Sequence, residues 1–287
     1  MNQTDAIDYG RGAAADRRRW LHKCLVQMAD ADELPTTVSS LYYAGIGEGQ
    51  WLSDAEAEHA GRKRLPRQDV SDAVQWLIER LVVDADGVVD VSRSVLDHRR
   101  PLNLRDSTYE YAMRMQLSGW ADLAVPVVIV ESRSLASALD GTADRYSIIL
   151  VPLGGMSGRT FLRKVARRYV ATSTPIAYLG DWNPAGAHIE NNAHDYFREQ
   201  GWTGEWSMLA VTDDDAAGRP TVTKLDKRNK PPRQYESVEA EAIGTTELRR
   251  RLAEWLDDQL PDDFTWADHE ARTSTERAEL LALFHDD

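Results

Sequence analysis

The stretch PIAYLGDWNPAG, residues 175–186, decides how this chain is read. An apolar run, Ile176-Ala177-Tyr178-Leu179, stops at Gly180-Asp181-Trp182-Asn183-Pro184-Ala185-Gly186. A plain reversal needs only Asp-Gly or Asn-Gly. An acid, an indole, an amide and a proline turn together point to polar side chains held at the tip of a buried strand. Outward from this stretch, strands and helices alternate. Strands are expected at 125–130, 146–152, 175–179 and 207–212, and helices at 134–139, 159–170 and 187–200. That order predicts an α/β unit with a parallel sheet and helices on both faces. Ligand groups in such sheets gather at the carboxyl ends of the strands. Two of these ends carry acids, Val130-Glu131 and Gly180-Asp181.

The first half reads differently, and the chain divides near residue 115, into 1–115 and 116–287. Trp20, Leu21, Leu25 and Met28 stand at helical spacing within 12–30. Pro35-Thr36-Thr37 looks like a helix entry, followed by Val38, Leu41, Tyr42 and Ile46. Val70, Ala73, Val74, Leu77 and Leu81 mark another helix. Asp86-Gly87 then lies between two β-branched runs, the signal of a β-hairpin. Helix, helix, hairpin is the order of a winged helix-turn-helix, and equally of other small α+β domains.

Composition bounds the function. A chain of 287 residues, 42% apolar with nine Trp, can fill a core. No apolar run is long enough to span a bilayer, and the polar start MNQTDAIDYG shows no secretory signal. The single Cys24 excludes an internal disulfide and fits a reducing cytoplasm. The net charge of −13 argues against a generic nucleic-acid binder. Basic residues nevertheless cluster at Arg17-Arg18-Arg19, at Arg62-Lys63-Arg64 with Arg67, at Arg99-Arg100, from Lys224 to Arg233, and at Arg249-Arg250-Arg251. A local positive groove is therefore open to this chain, with Arg62, Lys63, Arg64, Lys227, Arg228 and Lys230 the candidate DNA contacts. The loop Leu153-Gly154-Gly155-Met156-Ser157-Gly158 lacks the Lys and the spacing of a nucleotide loop.

VVIVES together with IAYLGDWNPAG resembles the two acidic motifs of a Toprim domain, a Glu ending one strand and Asp-x-Asp ending another. The Pro and Gly after the acids are similar to those of the A subunit of topoisomerase VI and the related meiotic double-strand-break proteins. Thr37-Val38-Ser39-Ser40-Leu41-Tyr42-Tyr43 resembles their winged-helix motif, whose last Tyr is the nucleophile. The tail KLDKRNKPPRQYESVEAEAI is similar to the segment after the Toprim core in bacterial and phage relatives. The likeness runs over roughly residues 35–255.

The resemblance implies a winged-helix domain followed by a Toprim-like, Rossmann-like sheet domain. It implies Tyr43 as nucleophile, Mg²⁺ (or Mn²⁺) held by Glu131, Asp181 and Asn183, and double-stranded DNA as substrate. It also implies a homodimer in which each Tyr works beside the partner's metal, leaving a 5′-phosphotyrosyl link. The chemistry is coherent, because a phenol with a pKa of about 10 needs help to attack a phosphodiester. Hard oxygen ligands suit Mg²⁺. Two positions depart from the pattern. The family's Arg four residues before the Tyr is Ser39, and the second acid of Asp-x-Asp is Asn183. No ATPase module is recognisable, so strand passage would need a separate subunit. The expectation is a metal-dependent DNA-cleaving protein. The alternatives are a non-cleaving DNA-binding module of a DNA-processing or defence system, and an unrelated α/β enzyme acting on a small phosphorylated substrate.

Overall fold

The computed structural model describes residues 7–31, 33–52, 57, 59–62, 65–80, 82–84, 87–89, 104–120, 123–155, 157–219, 221–226 and 233–283. Among the described residues the elements before the large sheet are α1 (Ala13–Asp30), β1 (Thr36–Thr37), α2 (Val38–Gly47), α3 (Arg67–Glu79), β2 (Val88–Val89) and α4 (Leu104–Arg114). The helical spacing of Val70, Ala73, Val74 and Leu77 puts one face of α3 inside. That face closes on Leu21 and Leu25 of α1 and on Leu41 and Tyr42 of α2. Helix α2 begins where the Thr37 side chain accepts a hydrogen bond from the Ser40 N–H, a cap that contributes about 1 kcal/mol.

The hairpin expected around Asp86-Gly87 is not formed by the flanking valines. Val82 and Val83 lie in a bend, and Val88–Val89 pairs in parallel with Thr36–Thr37. The β-branched run after the glycine fills a place beside β1 rather than returning along its own chain. Residues 90–100, the remainder of that segment, lie outside the described residues.

The second half is mixed α/β around a four-stranded parallel sheet. In chain order it holds β3 (Val127–Val130), α5 (Arg133–Arg145), β4 (Ile149–Pro152), α6 (Arg159–Tyr169), β5 (Ile176–Leu179), α7 (Pro184–Glu199) and β6 (Trp206–Ala210). The strand order is β4-β3-β5-β6. Every residue of β3 and β5 is buried, which is why both read as unbroken apolar runs. On one face Val128, Val130, Ala177 and Leu179 meet Leu135 and Leu139 of α5. On the other, Val127, Ile129 and Ile176 meet Leu162 and Val165 of α6 and Phe197 of α7.

A short α8 (Asp213–Ala217) leads to an antiparallel pair, β7 (Val222–Asp226) and β8 (Arg233–Ser237), then a 3-10 turn (Ala240–Ile243), α9 (Thr245–Asp257) and α10 (Trp266–Ala282). Helix α9 completes the first face of the sheet with Leu248, Leu252 and Leu256. It also ties the two halves together. Thr245 Oγ1 donates to Ser40 Oγ at 2.9 Å, and Arg249 reaches the carbonyls of Glu33, Pro35 and Ala138. Among the described residues no helix is long and apolar enough to cross a membrane.

The direction of winding reverses between β3 and β5, since β4 was added on one side of β3 and β5 and β6 on the other. A crevice opens outside the carboxyl ends of the strands at such a reversal. Glu131 follows β3 and Asp181 follows β5, so both acids stand at its mouth.

Candidate functional site

The turn after β5 is built from its side chains inward. The Asp181 N–H donates to Glu131 Oε2 at 2.9 Å, which joins the ends of the two central strands. Asn183 caps α7, its Oδ1 accepting from the N–H groups of Ala185 and Gly186, both at 2.9 Å, while Nδ2 donates to Ser237 Oγ. Pro184 takes the first helical position, where its missing N–H costs nothing. At Gly186 a Cβ would stand 2.1 Å from the Asp181 carbonyl oxygen and 3.3 Å from Glu131 Oε2. Only glycine lets the helix start this close to the strand end.

Trp182 clamps a third element onto the turn. Its backbone exchanges hydrogen bonds with Val238, and its indole N–H donates to Asp213 Oδ1 at 2.8 Å. The β7–β8 pair and the residues after it are thereby laid over Asp181. Ala240 N–H donates to Asp181 Oδ1 at 3.0 Å. Lys224 Nζ sits 2.8 Å from Glu239 Oε1 and 3.9 Å from Asp181 Oδ2. Glu241, almost fully buried, accepts from Ser134 Oγ at 2.6 Å and Ser132 Oγ at 3.3 Å.

Glu239 carries the network to the other half of the molecule. It pairs with Arg67 of α3. Arg67 Nη2 also donates to the Tyr43 hydroxyl at 2.6 Å, and Nη1 lies 3.4 Å from Ser39 Oγ. Its guanidinium stacks over the rings of Tyr42 and Tyr43. A continuous run of contacts, Tyr43–Arg67–Glu239–Lys224–Asp181–Glu131, therefore joins the Tyr-Tyr segment to the acidic strand ends within one chain. Arg67 places a guanidinium against Ser39, the position at which the resembled motif carries its own arginine.

Charge in this cluster is unevenly compensated. Burial pushes the Asp181 carboxyl up to about 7, the neighbouring Glu131 charge adds to the rise, and the Ala240 N–H opposes it. Burial also raises Glu131. Burial works against the charge of Glu239 too, but Arg67 and Lys224 outweigh it and hold that carboxyl at about 2. The Tyr43 hydroxyl is pushed well above the usual phenol range, first by burial and then by the Glu239 charge, with Arg67 opposing. Tyr43 is 8% exposed.

Of the residues singled out from sequence, Glu131, Asp181 and Asn183 come together at the strand ends, and Tyr43 reaches them through Arg67. Arg62 is exposed; Lys63, Arg64, Lys227, Arg228 and Lys230 lie outside the described residues. Two other basic clusters serve internal contacts. Arg17 pairs with Asp69, and Arg251 with Asp215 and Glu247. Sequence reasoning did not assign Arg67, Lys224, Glu239 or Glu241 to the site.

As a cage for Mg²⁺ the set fits in part. Glu131 and Asp181 supply hard oxygens. The Asn183 oxygen is occupied by two backbone N–H groups, and the Lys224 ammonium already lies beside Asp181. Among the described residues no three His, Cys, Asp or Glu side chains are arranged to hold a metal ion. An open cleft of 680 Å³, walled by Trp182, Tyr235 and Glu190 among others, leads to Asp181 and Asn183. No family model matches this chain, and neither a curated protein nor a solved structure matches it.

Proposed function

We propose that the chain is a DNA-cleaving protein with a Toprim-like sheet and an N-terminal winged-helix-like half. On this reading it acts on double-stranded DNA as a homodimer. The observation that carries the reading is the contact run from the Tyr43 hydroxyl to Asp181 and Glu131. It brings together two segments that lie far apart in sequence, a phenol and paired carboxylates, around a cation able to meet a phosphate.

In this mechanism Arg67 orients the Tyr43 oxygen and presents a guanidinium, a planar fork suited to phosphate. The Tyr43 oxygen attacks phosphorus, a new P–O bond forms, and the bond to the 3′-oxygen breaks. The phenol proton passes to a carboxylate of the cluster, and the leaving oxygen takes up a proton. Glu131 and Asp181 are the residues that would hold Mg²⁺ or Mn²⁺, and the ion would supply neutralisation of phosphate charge.

A second reading, a non-cleaving DNA-binding module of a DNA-processing or defence system, is favoured by two observations. Tyr43 is buried with its hydroxyl on Arg67, and Asn183 spends its oxygen on the helix cap. The test is supercoiled plasmid incubated with the protein and Mg²⁺ or Mn²⁺. Nicked or linear product is expected, reduced by about 10–100-fold in Glu131→Gln. That variant keeps an oxygen for the Asp181 N–H. Plasmid that is bound but never cut, by wild type and variant alike, supports the second reading.

A further inference from the structure

Helix α6 carries five cations and no acid in its 11 residues, in a chain with 47 acidic and 34 basic side chains. Leu162 and Val165 are buried against the sheet, while Arg163, Lys164, Arg167 and Arg168 are exposed. Arg159 pairs with Glu199 of α7, and Arg168 lies over the ring of Tyr169. Arg163, Lys164 and Arg167 have no ion pair and donate no hydrogen bond within the described residues. The contrast with α9 is direct. There Arg250 binds Glu247 and Glu254, Arg251 binds Asp215 and Glu247, and Arg249 is spent on three carbonyls.

An ordinary solvated helix face mixes both signs, because like charges four residues apart destabilise a helix. Arg163 with Arg167, and Lys164 with Arg168, are two such repelling pairs, each about 6 Å apart along the axis. A polyanion laid on this face relieves the repulsion and meets cations carried on one side of a single helix. Helix α6 also starts at the carboxyl end of the sheet, after the loop in which the Gly155 N–H donates to the Glu131 carbonyl. We infer that the outward face of α6 is a docking site for the phosphate backbone of duplex DNA, with Arg163, Lys164, Arg167 and Arg168 as its contacts. This rests on the DNA-binding part of the proposed function and is independent of cleavage.

The experiment measures binding of a fluorescent duplex of arbitrary sequence by anisotropy, across about 50–200 mM salt. It compares wild type with Lys164→Glu/Arg167→Glu/Arg168→Glu and with the neutral Lys164→Gln/Arg167→Gln, each first shown by circular dichroism to keep the fold. Charge reversal should weaken binding at least about tenfold. It should also lower the slope of log K against log salt by about 3, one unit per lost phosphate contact. The neutral pair should lower the slope by about 2. Wild type that binds the duplex while both variants bind equally well, with the same slope, overturns the inference alone. Wild type that binds no duplex overturns the DNA reading, and the inference with it. Wild type that ignores the duplex but binds phosphatidylserine–phosphatidylcholine vesicles through these residues makes the occupant a lipid surface, and again overturns the inference.

Discussion

Asp181→Asn should stabilise the protein at neutral pH while abolishing any response to Mg²⁺. Folding moves the Asp181 carboxyl from 3.8 up to about 7. Between those values the native state holds a proton that the unfolded chain has lost. Stability from this group therefore falls as pH rises from about 4 to about 7, and stays low above that. The amide removes the buried charge and keeps an oxygen for the Ala240 N–H. The gain should be about 2–4 kcal/mol at pH above about 8 and vanish near pH 4. Glu239 has the opposite sign. Its folded value of about 2 gives stability that is present above about pH 4 and is lost as pH falls toward 2. Wild type should gain thermal stability from Mg²⁺ more strongly at high pH, where Asp181 is ionised. Thermal melts with and without Mg²⁺ across this range check both statements. A variant less stable than wild type at about pH 8 would mean that the Lys224 contact outweighs burial.

Arg67→Met should be the most damaging change in the cluster. Glu239 is 12% exposed at its side chain and takes its charge compensation from Arg67 and Lys224. Removing the guanidinium leaves a buried carboxylate with one cationic partner, Lys224, and strips the Tyr43 hydroxyl of its donor. The expected loss is about 2–3 kcal/mol, below the full cost of breaking a buried pair because Arg67 is itself partly exposed. Arg67→Met/Glu239→Gln should recover most of that loss, since the uncompensated charge is then gone. Urea denaturation of wild type, the two single variants and the double variant measures the coupling. A double variant whose loss equals the sum of the single losses would mean that Arg67 and Glu239 are not coupled.

The parallel sheet was legible because its central strands are buried on both faces and leave apolar runs that punctuation bounds. The helix expected at 134–139 runs on to Arg145, because Asp140-Gly141 imitates a turn while Ala143 continues the buried face. The valines around Asp86-Gly87 misled for the reverse reason. A β-branched pair that serves a neighbouring strand looks like one that serves a hairpin. At the site, Glu131 and Asp181 stood out as acids closing apolar strands. Arg67 and Glu239 did not, since their partnership spans 172 residues and depends on how β8 is clamped over the turn by Trp182. Local pattern carries no trace of such a contact. The basic residues of α6 were passed over because they are spread by helical spacing rather than packed into one run.

The central claim is that Tyr43 and the acidic strand ends form a single DNA-cleaving site. Its most direct test is to incubate the protein with supercoiled plasmid and Mg²⁺, quench with detergent, digest the DNA and map any nucleotide-bearing peptide by mass spectrometry. A 5′-phosphate adduct on Tyr43 is expected, absent from Tyr43→Phe and from Glu131→Gln. Plasmid cut in the presence of metal with no adduct, and cut equally well by Tyr43→Phe, would contradict it.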